Sequence, residues 1–110
     1  MKHPVPLRLA CLAWPLFLGL NVARADQAEI DLGREVFLTI SEPDCALCHT
    51  LADAGSKGKV GPSLDDLMPD ADRVRKAVTE GVGVMPPNEV LTAEQIEAVA
   101  RYVSTVAGKN

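Results

Sequence analysis

Residues 45–49 read Cys-Ala-Leu-Cys-His, two thiols set two residues apart with an imidazole directly after them. Three chemistries use such a cluster. A redox dithiol places its Cys-x-x-Cys where a strand meets a helix, and no strand pattern precedes Cys45. A structural zinc site needs four ligands, usually Cys or His. Beyond residue 25 the chain offers only Cys45, Cys48 and His49, so a carboxylate or water would have to complete the set. The third chemistry is covalent attachment of a c-type haem, whose pattern is Cys-x-x-Cys-His. The thiols of Cys45 and Cys48 add to the two vinyl groups of one porphyrin as thioethers, and His49 then lies under the iron as its proximal ligand. The residue types point to this third reading.

A bound iron needs a donor from its other side or keeps an open face. No second histidine is left beyond residue 25, so the candidates are thioethers, and two methionines precede prolines: Met68-Pro69 and Met85-Pro86. Most methionines simply fill core space. Met85 lies 36 residues beyond His49 in a loop with Gly81, Gly83, Pro86 and Pro87. Its glycines allow close backbone approach and its prolines stiffen it. Met68 sits 19 residues on, just before a helical pattern, where packing is the expectation. Met85 is therefore the expected distal ligand. With both axial places filled, neither substrate nor dioxygen can coordinate, and the metal can only exchange single electrons. The competing reading is a haem enzyme or gas sensor with an open distal position.

The start of the chain reads as an export signal. Lys2, His3 and Arg8 form a basic head, residues 9–20 are uncharged and apolar, and Ala23-Arg24-Ala25 supplies the small residues of a cleavage site. The uncharged stretch between Arg8 and Arg24 holds 15 residues and contains Pro15, short for a membrane span of roughly 18 or more. The expectation is a signal peptide over residues 1–25, discarding Cys11 and Trp14, with one domain over residues 26–110 delivered to the periplasm and no stable membrane insertion. That domain carries eight basic and fifteen acidic residues, a formal charge of −7. Such a surface repels nucleic acid and anionic membrane and suits a partner with a basic docking face. Its aromatic residues are only Phe37 and Tyr102, which leaves a thin core for 85 residues. A porphyrin's large apolar surface would fill it.

Every periodic segment of this domain reads as helix. Ile30, Gly33 and Phe37 recur on one face of residues 26–40, with Gly33 about 1 kcal/mol poorer than alanine in a helix unless a neighbour needs the space. Ser41 to Asp44 end that helix. Residues 53–69 read as loop. Asp70 caps a short helix whose inner stripe is Val74, Ala77 and Val78, and Gly81 stops it. Thr92 and Gln95 form a capping box for a last helix with Ile96, Val99, Ala100 and Val103 inward and Tyr102 beside them. The fold class is all-α, with long connections of the kind that wrap a ligand.

"CALCH" at 45–49, Gly61-Pro62, "GVMPP" at 83–87, "GREVF" at 33–37 and "EAVARYV" at 97–103 occur in the order found in the small class I mono-haem cytochromes c, which the whole of residues 26–110 resembles. The resemblance implies three main helices and long loops around one covalently bound haem c, with the first and last helices meeting near Gly33, Phe37 and Tyr102. It implies a hydrogen bond from His49 to the carbonyl of Pro62, which would hold the imidazole's tautomer and strengthen it as a donor. The loop wording "ALCHTLADAG…VGPSLDDL" is similar to the cytochrome subunits of periplasmic sulfite dehydrogenases. The implied role is electron transfer rather than enzymatic turnover. The implied partners are redox proteins: a molybdenum-containing dehydrogenase as donor, and a cytochrome or oxidase downstream. Many members of the family hold a haem propionate with a tryptophan, and residues 26–110 contain none. Arg73, Arg75 and Lys57 are the cations that could take over, against the plainer expectation that each is a solvated surface charge.

Overall fold

The computed structural model describes residues 2–4 and 14–109, with side chains described for residues 2–4 and 21–109. Met1 and residues 5–13 of the expected signal segment, Cys11 among them, lie outside the described residues. The order of elements is helix α1 (Trp14–Glu35), a π-helical turn (Val36–Ile40), helix α2 (Cys45–Cys48), strands β1 (Thr50–Leu51) and β2 (Ser56–Lys57), and helices α3 (Leu64–Leu67), α4 (Ala71–Glu80) and α5 (Ala93–Val106). Three of the helices, α1, α4 and α5, are long and carry the fold, as the resemblance implied. Among the described residues no helix is long and apolar enough to cross a membrane.

The frame is α1 against α5 and α4 against α5. Gly33 explains the first contact. A Cβ at that position would lie 2.1 Å from the carbonyl oxygen of Ala98 and 2.5 Å from the Cβ of Tyr102, so the helices touch backbone to backbone and only glycine fits. Around this crossing the buried core gathers Val36, Phe37, Val99, Tyr102 and Val103. The rings of Phe37 and Tyr102 meet edge to face, with centroids 6.2 Å apart, the arrangement their quadrupoles favour.

The caps form where the residue types called for them. Asp70 accepts from Arg73 N at 2.8 Å. Thr92 and Gln95 satisfy each other's backbone at 2.9 and 3.2 Å, and Gly81 ends α4 at φ 77°.

Three features depart from the sequence expectation. The helix expected over residues 26–40 is the end of the longer α1 and finishes as the π turn Val36–Ile40. Residues 53–69 are not plain loop: Ser56 and Lys57 pair with Leu51 and Thr50 as a two-stranded antiparallel hairpin, and α3 follows. The hairpin is too short to show alternation. It is closed by Ser56, whose Oγ donates to His49 O at 2.9 Å and accepts from Leu51 N at 3.0 Å. Helix α3 is set by its cap, Ser63, which accepts from Asp66 N, and by Asp65, whose two oxygens take Ala52 N at 2.8 Å and Gly108 N at 2.9 Å.

Tyr102, expected beside the inner stripe, is fully buried, and its hydroxyl donates to Asp53 Oδ2 at 2.6 Å. Burial first, and that bond second, push its ionisation well above the ordinary tyrosine value.

Candidate functional site

The cysteine pair sits on α2, a single turn that sequence pattern alone does not call helical. Ser41 holds it. The π turn before it forms as Ser41 N reaches back to Val36 O at 3.1 Å and the Thr39 hydroxyl donates to Glu35 O, a side-chain bond that competes with the regular ladder. Ser41, buried, then accepts from Cys45 N at 3.1 Å, and its Oγ lies 3.3 Å from Cys45 Sγ. Burial pushes the Cys45 thiol up, and the Ser41 bond pulls the other way. Both thiols are free and half-buried. From the other side, Gly58 lets β2's exit press on α2: a Cβ there would stand 2.6 Å from Leu47 O.

His49 closes the turn, its N–H donating to Cys45 O at 3.0 Å. Its Nδ1 lies 2.8 Å from the carbonyl oxygen of Pro62. A carbonyl can only accept, so Nδ1 carries the proton and Nε2 keeps its lone pair free for a metal. The ring is packed against Gly61, where a Cβ would be 2.5 Å from the imidazole Cε1. Glycine at 61 and the carbonyl of 62 thus set ring position and tautomer together.

Met85 is positioned by a separate device. Val82 and Met85 exchange backbone hydrogen bonds at 3.0 and 2.8 Å, a tight turn with Gly83 at φ 55°. The loop is tied back to α4 by Asn88 N donating to Val78 O at 2.8 Å. Gly81 lets it lie close, since a Cβ there would meet Met85 O at 2.7 Å. Met68, by contrast, caps α3 in the left-handed region at φ 44° and packs its sulfur against Gly108. It does not reach the site.

Cys45, Cys48, His49, Pro62 and Met85 all line one cavity of about 420 Å³, walled otherwise by core residues such as Phe37, Val74, Val78 and Val99. Native interiors hold few voids larger than a water molecule, whereas cofactor pockets run to roughly 300–1,000 Å³. The donor set suits a haem: two thiols for thioethers, a neutral imidazole nitrogen and a soft thioether sulfur. One polar atom is orphaned in the wall. Asn88 Oδ1 is buried without a hydrogen-bond partner among the described residues, and an occupant with polar groups would relieve it. A zinc centre is not supported, for no three His, Cys, Asp or Glu side chains converge among the described residues. The dithiol reading also lacks its strand–helix junction, since Cys45 follows a π turn.

The cationic residues divide. Arg75 is taken up by Glu97, with Nη2 to Oε2 at 2.8 Å, and by Asp72. These carboxylates raise the guanidinium's pKa further, and the bond from Arg75 in turn lowers that of Glu97. Lys57 lies on β2 and does not line the cavity. Arg73 does line it, and so does Lys76, which carries no signal in the sequence because an exposed lysine on a helix has no distinguishing pattern.

The family model described as cytochrome C oxidase, cbb3-type, subunit III matches residues 28–103. Among solved structures, the chain is similar to the c-type cytochrome SorU from Sinorhizobium meliloti, at 67% identity over 76% of this chain and 95% of that one, with a TM-score of 0.75. No curated protein sequence matches significantly. A family model spanning that much of the chain, a relative that similar and a helical fold closed around a Cys-x-x-Cys-His turn have one meaning: the chain belongs to the c-type cytochromes, within the family that this model describes.

Proposed function

We propose that the chain is a periplasmic one-electron carrier holding a single haem c, bound covalently through Cys45 and Cys48 with His49 and Met85 as axial ligands. One observation carries this: these four side chains, from two separately braced segments, line the same apolar cavity. When bound, the haem supplies an Fe(III)/Fe(II) couple. The protein's part is to hold His49 in one tautomer through Pro62, to present a neutral sulfur that favours the reduced iron, and to exclude water with an apolar wall so that geometry changes little between states.

Removal of residues 1–25 is part of the proposal. Residues 21–28 are exposed throughout. The contacts that tie down the helix begin with Asp26 and Glu29, paired to Arg101 at 3.1 and 3.3 Å. Cleavage after Ala25 would leave those two acids at the N-terminus of α1, where its dipole favours them.

Val60 and Val84, 76% and 93% exposed, stand at the cavity's rim. They make an apolar contact zone for a redox partner on an otherwise acidic protein, with the charge guiding encounter. The donor we assign is a molybdenum-containing sulfite dehydrogenase, on the loop resemblance described above. The acceptor is a downstream cytochrome or oxidase.

The test is recovery of the tagged protein from periplasm. A molybdenum dehydrogenase is expected to co-purify, and sulfite is expected to reduce the haem in that fraction. Reduction by another substrate through a molybdenum-free partner would overturn the donor assignment and leave the carrier role standing.

A further inference from the structure

We infer that Arg73 and Lys76, one turn apart on α4, form the end of the cavity that holds the two haem propionates. The inference rests on the haem reading above.

Two carboxylates carried into a mostly apolar cavity need partners, because an unpaired charge is costly to desolvate. The whole domain is strongly acidic, so its surface offers no general positive field. The cations must be local. Ion pairs among the described residues use Arg75, with Asp72 and Glu97, and Arg101, with Asp26 and Glu29. The Arg73 and Lys76 side chains appear in no such pair, and they are the two cationic residues that line the cavity. Their spacing of three puts them on one helix face.

Position agrees with charge. A haem carries its vinyl groups and its propionates at opposite ends, so thioethers at Cys45 and Cys48 fix which end points where. The turn α2 packs on the π turn and β2, whereas α4 packs on α5. The attachment turn and α4 thus reach the cavity from different neighbours. The lining acid, Asp44, is adjacent in the chain to Cys45, and the two bases are on α4. The lining acid and the two lining bases thus come from different elements, as the two unlike ends of a haem require. Arg73 can take a carboxylate in bidentate fashion, and Lys76 as a point charge. A tryptophan, the family's frequent solution, is absent from residues 26–110.

The experiment compares holoprotein variants R73Q, K76Q and the double variant with R75Q, which removes the same charge from the same helix on the face turned to Glu97. The readouts are the propionate bending band in the resonance Raman spectrum and the midpoint potential. Arg73 and Lys76 are exposed, so the fold should tolerate their loss; R73K and K76R supply conservative controls. R73Q and K76Q are expected to shift the band and lower the potential, the double variant more than either. R75Q should leave the band in place, and R73K and K76R should restore it largely. A covalently attached haem whose band is the same in R73Q, K76Q and wild type overturns the inference alone. A chain without attached haem overturns the proposed function instead.

Discussion

The Nδ1 of His49 stands 2.8 Å from the carbonyl oxygen of Pro62, and the residue before Pro62, Gly61, has no room for even a methyl group beside that ring. One dipeptide therefore sets where the imidazole lies and which nitrogen it offers. Gly61→Ala is expected to displace the ring and cost about 2 kcal/mol, in the range of overpacking a tight site. The ferric spectrum should show a mixture of spin states. A fully low-spin spectrum with unchanged thermal stability would show that the ring is not held this way.

Met85 is held by its own turn with Val82 and Gly83, so its removal should be separable. Met85→Leu is expected to keep the haem attached and to let carbon monoxide bind the ferrous iron. Its potential should fall on the order of 0.1 V, within the roughly 0.8 V that axial ligands span. A ferrous variant that still excludes carbon monoxide would point to another distal ligand.

Gly33 tests the frame rather than the site. A methyl group there would run into the Ala98 carbonyl at 2.1 Å, and backbone cannot swing aside as a long side chain can. Gly33→Ala gains about 1 kcal/mol in helix propensity. It is nevertheless expected to lose about 2 kcal/mol or more overall, since α1 and α5 must part. Denaturant unfolding of the holoprotein measures this, and a stabilised variant would refute the close crossing.

Tyr102 is the only tyrosine of the chain, which makes its titration readable. Its folded pKa lies above the ordinary value of 10.0, through burial and then the bond to Asp53. Above that pH the unfolded chain releases the proton while the folded chain keeps it. Stability contributed by the neutral phenol is thus complete below pH 10 and declines as pH rises beyond it. Tyr102→Phe should remove that decline and cost about 1 kcal/mol at neutral pH. Tyrosinate absorbance appearing at its ordinary pH in the folded protein would contradict the buried bond.

Much of this was legible in the residues because it is local. Asp70 and the Thr92–Gln95 box sit within a turn of the groups they cap, and Cys45, Cys48 and His49 fall within one pentapeptide. What was not legible depends on partners far apart in sequence. Asp53 and Tyr102 are 49 residues apart, and Asp65 joins Ala52 to Gly108. Neither aspartate differs by pattern from a solvated one. The hairpin of residues 50–57 is two residues per strand, below the length at which alternation can show. Lys76 looks like any helix-surface lysine until α4 is set against the cavity, and Ser41 looks like a simple helix stop until the π turn swings it toward Cys45.

The most direct test of the central claim is the mass of the intact exported protein, made in a host with cytochrome c maturation machinery and washed with acid and organic solvent. The expected result is a red protein whose mass is that of residues 26–110 plus one haem, with the haem lost when both Cys45 and Cys48 are replaced by alanine. A colourless, well-folded product with the mass of the polypeptide alone would contradict the account.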